Sequence, residues 1–436
     1  MIEDTIVAIA TPPGKAGVAI VRISGNMSEE ILKNISNTSD SFVPRHMYLK
    51  DIYLDGFNDN ALLVYFKSPN SYTGEDVAEI QCHGGYFVAE EVLKQVLKHG
   101  ARLAGPGEFS KRAFLNGKMS IDQAEGVMDI INAETKAQAS VGSELIKGKL
   151  FTKINDLQAR LTDCIAEVEA KLDYPEYDFE ETEEDSLKTN LCTINEELGS
   201  LISTTVLGSK IKNGVKVAIV GRPNVGKSSL LNALTNTEKA IVTDIAGTTR
   251  DIVEAEYVYN GILFRLFDTA GIHESDDFVE KIGIERAIDS IKTADIVLKL
   301  QEVGENFEID TFEKPVINVY TKLDLHNLDK TILDDEIYIS SVNNTNIEEL
   351  KKIVFDKTVS DGYDSSQLYL TNNRHVESLK EAQSALERAL DNFNCASLDF
   401  VVSDLNICWH KIGEVTGQTS SEDIIDRIFE KFCLGK

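Results

Sequence analysis

A phosphate-binding pattern stands in the middle of the chain, where GRPNVGKS spans residues 221–228. This match to GxxxxGK[ST] follows an apolar run of strand type, Val215–Val220, and precedes a run with helical spacing, Ser229–Leu234. A glycine-rich turn at such a place directs backbone N–H groups and the positive end of a helix toward phosphate. Lys227 can reach the β- and γ-phosphates, and the Ser228 hydroxyl can ligate Mg²⁺. We therefore predict that the chain binds a nucleoside triphosphate.

Two segments downstream predict how the triphosphate and its metal are held. The loop TDIAGTT, residues 243–249, offers Thr249 as a further Mg²⁺ ligand. An apolar run, Ile262–Phe267, then leads into the sequence DTAG, which begins at Asp268. A carboxylate at the end of a strand beside the phosphate loop holds the Mg²⁺ shell, and the N–H of Gly271 can sense the γ-phosphate.

Two later motifs predict that the base is guanine. TKLD follows the apolar run Pro315–Tyr320 and ends at Asp324. This carboxylate can accept hydrogen bonds from guanine N1–H and the exocyclic amine, whereas adenine would leave it unpaired. Ser340–Val342, after a strand-like IYI, suits a loop that caps the base. The order of these motifs resembles the G domain of translation-factor-class GTPases. The predicted GTP contacts are Asn224, Val225, Gly226, Lys227, Ser228, Ser229, Thr243, Asp244, Ile245, Ala246, Gly247, Thr248, Thr249, Asp268, Thr269, Ala270, Gly271, Thr321, Lys322, Leu323, Asp324, Ser340, Ser341 and Val342.

Two positions depart from the usual G-domain pattern. Thr321 stands where Asn is usual, so we expect guanine specificity to be kept with somewhat weaker binding. Ile272 follows DTAG at the position where Ras-like proteins carry the glutamine that orients the attacking water. An apolar side chain cannot orient water, and hydrolysis therefore needs another route.

Composition limits the remaining functions. With 436 residues, the chain is long enough for two or three domains. Its formal charge of −28 argues against unaided binding of a polyanion, so an RNA substrate would need a local basic patch or a partner. Six scattered cysteines without a CxxC pair, and no signal peptide, favour a reduced, cytoplasmic protein. No apolar run approaches the length of a membrane span.

The pattern along the chain predicts a multidomain α/β plus all-α protein. Residues 1–118 alternate strand-like runs with one clear helix, Ala89–His99, which is typical of an α+β domain. The strand-like runs are Thr5–Ala10, Val18–Ile23, Ala61–Phe66 and Val77–Gln81. Residues 119–213 are helical; Ser120 and Gln123 form a capping box, and an apolar face follows. The G domain occupies 214–360. Within it, Asn260-Gly261 predicts a hairpin with a type I′ turn. Helical spacing returns over 361–436. The expected topology inserts a Ras-like P-loop G domain into a helical bundle. The apolar face is formed by Ile121, Ala124, Val127, Met128 and Ile131.

Three charged or polar residues of the N-terminal part leave alternatives open. Arg22 and Glu79 each fall within a strand-like run, where a charge must point to solvent or meet a partner; taken alone, both are better explained as solvent-facing. His83 lies between Cys82 and Gly84 and could be a ligand, although a lone histidine in a turn is usually structural.

Several longer segments resemble the MnmE (TrmE) family of tRNA-modification GTPases. They are TPPGKAGVAIVRISG, SYTGEDVAEIQCHGG, PGEFSKRAFLNGKMSIDQAE, the inserted G domain and the terminal CLGK. The resemblance covers essentially the whole chain in order. It implies a homodimer whose N-terminal domain binds 5-formyltetrahydrofolate or a related tetrahydrofolate. It also implies an FAD-containing partner, MnmG, in a heterotetramer or larger complex. Together they would add an aminomethyl or carboxymethylaminomethyl group to C5 of the wobble uridine of certain tRNAs.

The resemblance also assigns residues. Folate contacts carried over by motif position are Arg22, Glu79, Lys118 and Lys436. It implies K⁺-stimulated hydrolysis, in which the cation acts electrostatically as an arginine finger does. The K⁺ ligands would be Asn224, Thr243, Ile245 and Thr248. Glu280 would position the water and act with Lys227 in catalysis. Cys433 takes the place of the family's C-terminal thiol, for which a covalent role and a packing role are both open.

Two other functions fit parts of the sequence. One is a regulatory GTPase of ribosome assembly, which the G motifs alone would permit. Such proteins usually append a basic RNA-binding domain, whereas this chain ends in an acidic helical segment. The other is a folate-dependent one-carbon enzyme in which the G domain is ancillary.

Overall fold

The structure is a computed structural model that describes residues 4–173, 181–235, 255–268, 288–305, 308–326, 332–333, 335–359, 363–364, 367–393, 397–433 and 435. The chain divides into two compact units. Unit 1 comprises residues 1–128, 144–195 and 378–436, and unit 2 comprises residues 129–143 and 196–377. Among its described residues, each unit contains one β-sheet.

The sheet of unit 1 is built from the first hundred residues. Its strands are β1 (Ile6–Ile9), β2 (Val18–Ser24), β3 (Met47–Leu54), β4 (Phe57–Phe66), β5 (Val77–His83) and β6 (Arg102–Leu103). They are ordered β3-β4-β5-β2-β1-β6, with β6 parallel to β1 and the other pairs antiparallel. Helices α1 (Ser28–Ile35), α2 (Tyr86–Lys98) and α3 (Glu108–Leu115) accompany the sheet. Alternate strand residues and one face of α1 and α2 form a shared apolar core.

The rest of unit 1 is helical and comes from both sides of the G-domain sequence. The helices of the chain between the two sheets are α4 (Ile121–Ile131), α5 (Lys136–Ile146), α6 (Lys149–Asp173), α7 (Glu181–Ser203) and α8 (Thr205–Asn213). Within unit 1, α6 packs on a helix of the C-terminal region, because Gln158 Nε2 donates to the Trp409 carbonyl at 3.1 Å and Trp409 Nε1 donates to Thr162 Oγ1 at 3.0 Å. The predicted insertion of the G domain between helical segments that pack together is therefore observed.

The sheet of unit 2 has seven strands. They are β7 (Val215–Gly221), β8 (Ala255–Tyr259), β9 (Ile262–Asp268), β10 (Ile296–Glu302), β11 (Val316–Thr321), β12 (Ile332–Leu333) and β13 (Glu336–Tyr338). The order is β12-β13-β11-β10-β7-β9-β8, with antiparallel pairs only at the two edges. Buried Val, Ile and Leu side chains of the central strands form the core, as expected for parallel strands covered on both faces.

Five further helices complete the described part of the chain. They are α9 (Lys227–Thr235), α10 (Ile347–Thr358), α11 (Asn373–Asn392) and α12 (Leu398–Thr416), followed by α13 (Glu422–Phe429). Asn260 and Gly261 both have positive φ, which confirms the type I′ turn between β8 and β9. No helix in the described ranges is both long and apolar enough to cross a bilayer.

The predicted fold class is confirmed, although the prediction for the N-terminal domain was incomplete. Only one helix was expected there, yet α1 and α3 are also present, each eight residues long. Short helices give too few turns for a clear apolar period. One half of the capping box at Ser120 is present, since its N–H donates to Gln123 Oε1 at 2.9 Å, while its Oγ donates to Asp122 Oδ1 at 2.5 Å. The apolar face of α4 is buried at Ile121 and Ala124, but Ile131 is exposed.

Candidate functional site

The nucleotide motifs of unit 2 meet at one edge of its sheet. β7, β9, β10, β11 and β13 run parallel, so their carboxyl ends lie on the same side. Ile219 pairs with Asp268, Leu300 with Gly221, and Glu302 with Thr321. β7 lies between β9 and β10, so the chain adds strands on one side of β7 and then on the other. Ligands of open α/β sheets bind at such a reversal of the strand order.

The phosphate loop has the backbone expected of an anion cradle. Asn224 and Gly226 have φ of 62° and 103°, in the left-handed region that brings successive N–H groups to one side. A Cβ on Gly221 would lie 2.7 Å from the Leu300 carbonyl, so only glycine fits there. Lys227 is 7% exposed, and its Nζ donates to the Gly221 carbonyl at 2.6 Å. The donor set of this loop fits a triphosphate.

The base-reading motif is tied to the phosphate loop. Thr321 is buried, and its Oγ1 donates to the Val225 carbonyl at 2.6 Å. Ser340 Oγ donates to Asp324 Oδ1 at 2.6 Å and so orients that carboxylate. Within the described part of the chain, Asp324 Oδ2 has no hydrogen-bond donor. Lys322 Nζ forms an ion pair with Glu302, a residue that the motif analysis missed because it belongs to no motif.

The predicted nucleotide residues are thus brought together only in part. Val225 is buried, and Leu323 and Ser341 are half-buried. The residues exposed at this edge of the sheet are Asn224, Ser228, Ser229, Asp324 and Val342. The backbone of Asp268 ends β9 beside β7. The other predictions lie outside the described residues: Thr243, Asp244, Ile245, Ala246, Gly247, Thr248, Thr249, Thr269, Ala270, Gly271 and Glu280.

A second polar site lies on the sheet of unit 1. Arg22 on β2 and Glu79 on β5 are directly opposite in register, and Arg22 Nε donates to Glu79 Oε1 at 2.9 Å. Their side chains are 18% and 15% exposed. The interpretation of both as solvent-facing charges was therefore wrong, because each is the other's partner. The Arg22 guanidinium lies 5.5 Å from the ring centre of Tyr72 and 6.0 Å from that of Phe109.

The C-terminal tail reaches this second site. Arg22 Nη1 donates to the Gly435 carbonyl at 3.4 Å, and the Gly107 N–H donates to the Cys433 carbonyl at 3.4 Å. A Cβ on Gly435 would lie 2.7 Å from the Ile9 carbonyl, so the tail runs close against β1. Cys433 is exposed, which does not support a packing role. Lys436, the remaining predicted folate contact of the tail, lies outside the described residues.

Tyr72 and Phe109 were missed as members of this site. Both lie in segments noted for their motifs, SYTGED and PGEFSK, but nothing in the spacing shows that their rings meet Arg22. Tyr72 is held in place because its hydroxyl is 2.8 Å from Ser110 Oγ. Lys118 lies near the same loop, where its Nζ donates to the Pro69 carbonyl at 3.0 Å.

His83 is engaged in a local contact. Its Nδ1 is 2.5 Å from Asp59 Oδ1, and its N–H donates to Asp59 Oδ2 at 3.0 Å. This contact joins the end of β5 to the neighbouring strand β4. The described residues hold no cluster of His, Cys, Asp and Glu that could ligate a metal ion.

Comparison with known proteins shows the family of the chain. A model described as the MnmE helical domain matches residues 121–433, and one described as the N-terminus of the GTP-binding protein TrmE matches residues 5–118. The tRNA modification GTPase MnmE of Natranaerobius thermophilus is 38% identical over 463 residues, and the one of Clostridioides difficile is 39% identical over 465 residues; each alignment covers 100% of both chains. The MnmE of Lactobacillus gasseri is 38% identical over 99% of this chain and 98% of its own. These matches confirm the resemblance seen in the motifs: the chain belongs to the MnmE family of tRNA modification GTPases.

Proposed function

We propose that this GTPase uses GTP hydrolysis to drive modification of C5 of the wobble uridine in certain tRNAs. It would add an aminomethyl or carboxymethylaminomethyl group, with a tetrahydrofolate one-carbon unit and an FAD-containing MnmG partner. The observation that carries the proposal is the hydrogen bond between Arg22 and the Gly435 carbonyl. It joins the two ends of the chain at one site, which a GTP switch without covalent chemistry would not need.

The nucleotide edge supports GTP as the substrate. Lys227 would neutralise the β- and γ-phosphates, and Asp324 would read guanine N1–H and the exocyclic amine. Ser340 would hold the Asp324 carboxylate in the plane of the base, since it already donates to Oδ1. ATP would leave this carboxylate unpaired, which is a costly mismatch.

Metal ions fit the phosphate loop by their donor set. Ser228 and Thr249 would hold Mg²⁺, and Asn224, Thr243, Ile245 and Thr248 would hold K⁺. Of these, Asn224 and Ser228 are described, and both side chains are exposed at the phosphate edge. When bound, the two cations would supply electrostatic stabilisation of the charge that develops during phosphoryl transfer.

Hydrolysis requires a water that is oriented for attack. The apolar side chain of Ile272 cannot orient it, so another residue must do so. Glu280 would accept a hydrogen bond from this water and orient it toward the γ-phosphorus. A bond then forms between the water oxygen and phosphorus while the bond to the β–γ bridging oxygen breaks. The products are GDP, inorganic phosphate and a proton.

The second site fits a folate in the chemistry of its donors. Glu79 can accept hydrogen bonds from the amino and N–H groups of a pterin, while the Arg22 guanidinium and the rings of Tyr72 and Phe109 offer flat surfaces. Lys118 and Lys436 are cationic, as binding of the glutamate carboxylates requires. Lys436 follows Gly435 directly, and the Gly435 carbonyl is already in contact with Arg22.

An apolar patch supports the proposed homodimer. Met47 and Leu49 of β3 and Leu62 of β4 lie on one face of the unit 1 sheet and are 48%, 64% and 36% exposed. Leu49 and Leu62 are opposite each other in register. Contiguous exposed apolar side chains of this kind mark protein interfaces. We place the protein in the cytoplasm, where its described cysteines, all free thiols, would remain reduced.

The test is a nucleoside analysis of total tRNA by mass spectrometry from cells that lack the protein. Loss of the aminomethyl-type wobble uridines is expected, with restoration by the wild-type gene and not by one that lacks the Lys436 codon. A copy with Lys94→Ala, a charge change on the exposed surface of α2, serves as the control and should restore them. An unchanged nucleoside profile would instead favour a GTP switch, and ribosome assembly would be examined next.

A further inference from the structure

Three cationic side chains converge on one loop of unit 1. The loop spans residues 67–76 and joins β4 to β5. Arg45 Nη2 donates to the carbonyl of Asn70 at 3.2 Å, while Lys118 Nζ donates to the carbonyl of Pro69 at 3.0 Å. Because these carbonyls belong to consecutive residues, the guanidinium and the ammonium lie within roughly 12 Å of each other. Lys67 begins the same loop.

The charges of these three residues are little compensated. Arg45 and Lys118 hydrogen-bond only to backbone carbonyls within the described ranges, and Lys67 alone has a carboxylate partner, Asp76 at 2.8 Å. All three side chains are exposed. In a chain with a net charge of −28, an exposed group of cations with a single carboxylate between them indicates an anionic ligand.

The loop that these cations contact is held in place by several hydrogen bonds. Asp76 accepts hydrogen bonds from the Tyr65 hydroxyl at 2.7 Å and from the Ser68 N–H at 2.9 Å. Ser68 Oγ donates to the Gly74 carbonyl at 2.8 Å, which closes the loop on itself. A ligand bound here would therefore lose little affinity to ordering of the loop.

The same loop connects the cations to the proposed folate site. Its Tyr72 ring lies under the Arg22 guanidinium. A Cβ on Gly74 would lie 3.1 Å from Lys118 Cγ, so the Lys118 stem runs along the loop. Arg45 and Lys118 therefore contact, and Lys67 begins, the same loop whose Tyr72 ring meets Arg22.

We propose that Arg45 and Lys67 form a subsite for the γ-linked polyglutamate tail of a folate, next to Lys118. The inference rests on the proposed folate binding by Arg22, Glu79 and Lys118. Each added γ-linked glutamate contributes one α-carboxylate roughly 6 Å from the last, so a short tail can span the roughly 12 Å within which the Arg45 and Lys118 head groups lie. The guanidinium of Arg45 can hold a carboxylate through two hydrogen bonds, and the Lys67 ammonium can bind one as a point charge.

RNA is the other polyanion that such cations could meet. Affinity for a nucleic acid comes largely from many phosphate contacts and falls steeply as the salt concentration rises. Three cations supply few such contacts, whereas two or three carboxylates of a single tail would be matched one to one. The polyglutamate tail is therefore the favoured ligand.

The test compares 5-formyltetrahydrofolate with one and with three glutamates, bound to the full-length protein in calorimetry at low salt. We expect the wild type to bind the triglutamate about three- to tenfold more tightly, as two exposed charge pairs would allow. Arg45→Ala and Lys67→Ala should each reduce this preference to about two- to threefold, and the double variant should bring it within about twofold, with monoglutamate affinity unchanged. Arg45→Lys should keep part of the preference. The control is Lys94→Ala on α2, which removes an exposed charge that pairs with Glu91 and should keep all of it.

Other outcomes would overturn the proposal in distinguishable ways. Equal affinity of the wild type for both forms would reject the subsite while leaving the folate function intact. Loss of monoglutamate affinity in Arg45→Ala would show that the residue only shapes the loop. If the triglutamate preference is missing and Arg45→Ala weakens tRNA binding in a filter assay, the cations serve RNA. If neither folate binds, the proposed folate site itself fails.

Discussion

Thr321 shows how a single side chain can join two parts of the nucleotide site. Its hydroxyl donates to the Val225 carbonyl inside the phosphate loop, and the residue is 3% exposed. The TKLD segment and the phosphate loop are therefore held by one short, buried hydrogen bond. Such a bond stabilises a preorganised site, and its loss would leave a buried acceptor without a donor.

We expect Thr321→Val to weaken GTP binding by about tenfold, because the isosteric side chain keeps the shape and removes the donor. Thr321→Ser should bind GTP nearly as well as the wild type. Fluorescent-nucleotide titration measures both. Equal weakening by Ser and Val would show that the methyl group, not the hydroxyl, matters.

Glu108 shows how charge stabilises the N-terminal domain. Burial raises the pKa of its carboxyl group, but hydrogen bonds from Arg102, from the Gly105 N–H and from Arg112 outweigh this and lower the pKa to about 2. Arg112 is fully buried and pairs with Asp4 and Glu75 as well. These ion pairs join the segment before β1, the loop before β5, β6 and α3.

The lowered pKa predicts a pH dependence of stability. The unfolded carboxyl group has a pKa near 4.5, so the stabilisation by Glu108 is complete above that pH and is lost as the pH falls toward 2. We expect Glu108→Gln to lower the free energy of unfolding by about 1–2 kcal/mol at pH 7, allowing for solvent screening. Chemical denaturation at pH 7 and pH 3.5 measures it. A difference between the variant and the wild type that does not shrink at pH 3.5 would contradict the assignment.

At the scale of elements, the β8–β9 hairpin of unit 2 lies between two of the predicted nucleotide motifs in sequence. It begins just after the predicted 243–249 loop and ends at Asp268 of DTAG. Residues before the G-domain sequence pack on it: Ala137 belongs to the same core cluster as the sheet, and Glu134 pairs with Arg265 at 2.8 Å. A change in the hairpin on GTP binding would therefore reach the segment around Glu134 directly.

We expect a charge swap to test this link. Glu134→Arg or Arg265→Glu alone should lower the free energy of unfolding by about 0.5–1 kcal/mol and change the rate of GTP hydrolysis. The double swap should restore part of both, because Arg265 also pairs with Glu256 at 3.2 Å. Thermal unfolding and phosphate release measure the two properties. The control is Lys94→Ala, which lies in unit 1. Single variants with the stability loss but normal hydrolysis would show that the pair only stabilises the fold.

Errors of prediction at this scale have physical causes. β3 was not predicted because its residues, MYLKDIYL, are mostly exposed or half-buried at a sheet edge and carry charges. The strands β2 and β5 were predicted closely because central strands are rich in buried Val and Ile. The exposed end of α4 at Ile131 could not be predicted, since periodicity shows a face and not what covers it.

At the scale of the whole molecule, the charge of −28 bears on the proposed hydrolysis. GTP adds further negative charge at the phosphate edge, and Ile272 removes the usual means of positioning water. A monovalent cation at Asn224 would offset part of this charge where it develops in the transition state. Asn224 is exposed and has a left-handed backbone, so its side chain is available to a ligand.

We expect GTP hydrolysis to be about tenfold faster or more in K⁺ than in Na⁺ at equal ionic strength. Asn224→Ala should abolish this difference, and Glu280→Ala should lower turnover in both salts while nucleotide affinity stays unchanged. Phosphate release at saturating GTP measures all three. Equal rates in the two salts would remove the argument for a K⁺ site.

The sequence by itself determined the order of the motifs, the nucleotide class, the family and the main elements, because each of these depends on residues that are near one another along the chain. A phosphate loop, a type I′ turn and a capping box are local, and their residue types are enough to predict them. Only the tertiary structure decided that Arg22 pairs with Glu79 and meets Gly435, that Thr321 bonds to the phosphate loop, and that three cations share one loop. These contacts join residues far apart in sequence, and which of many compatible partners meet is settled by strand register and by the packing of the core.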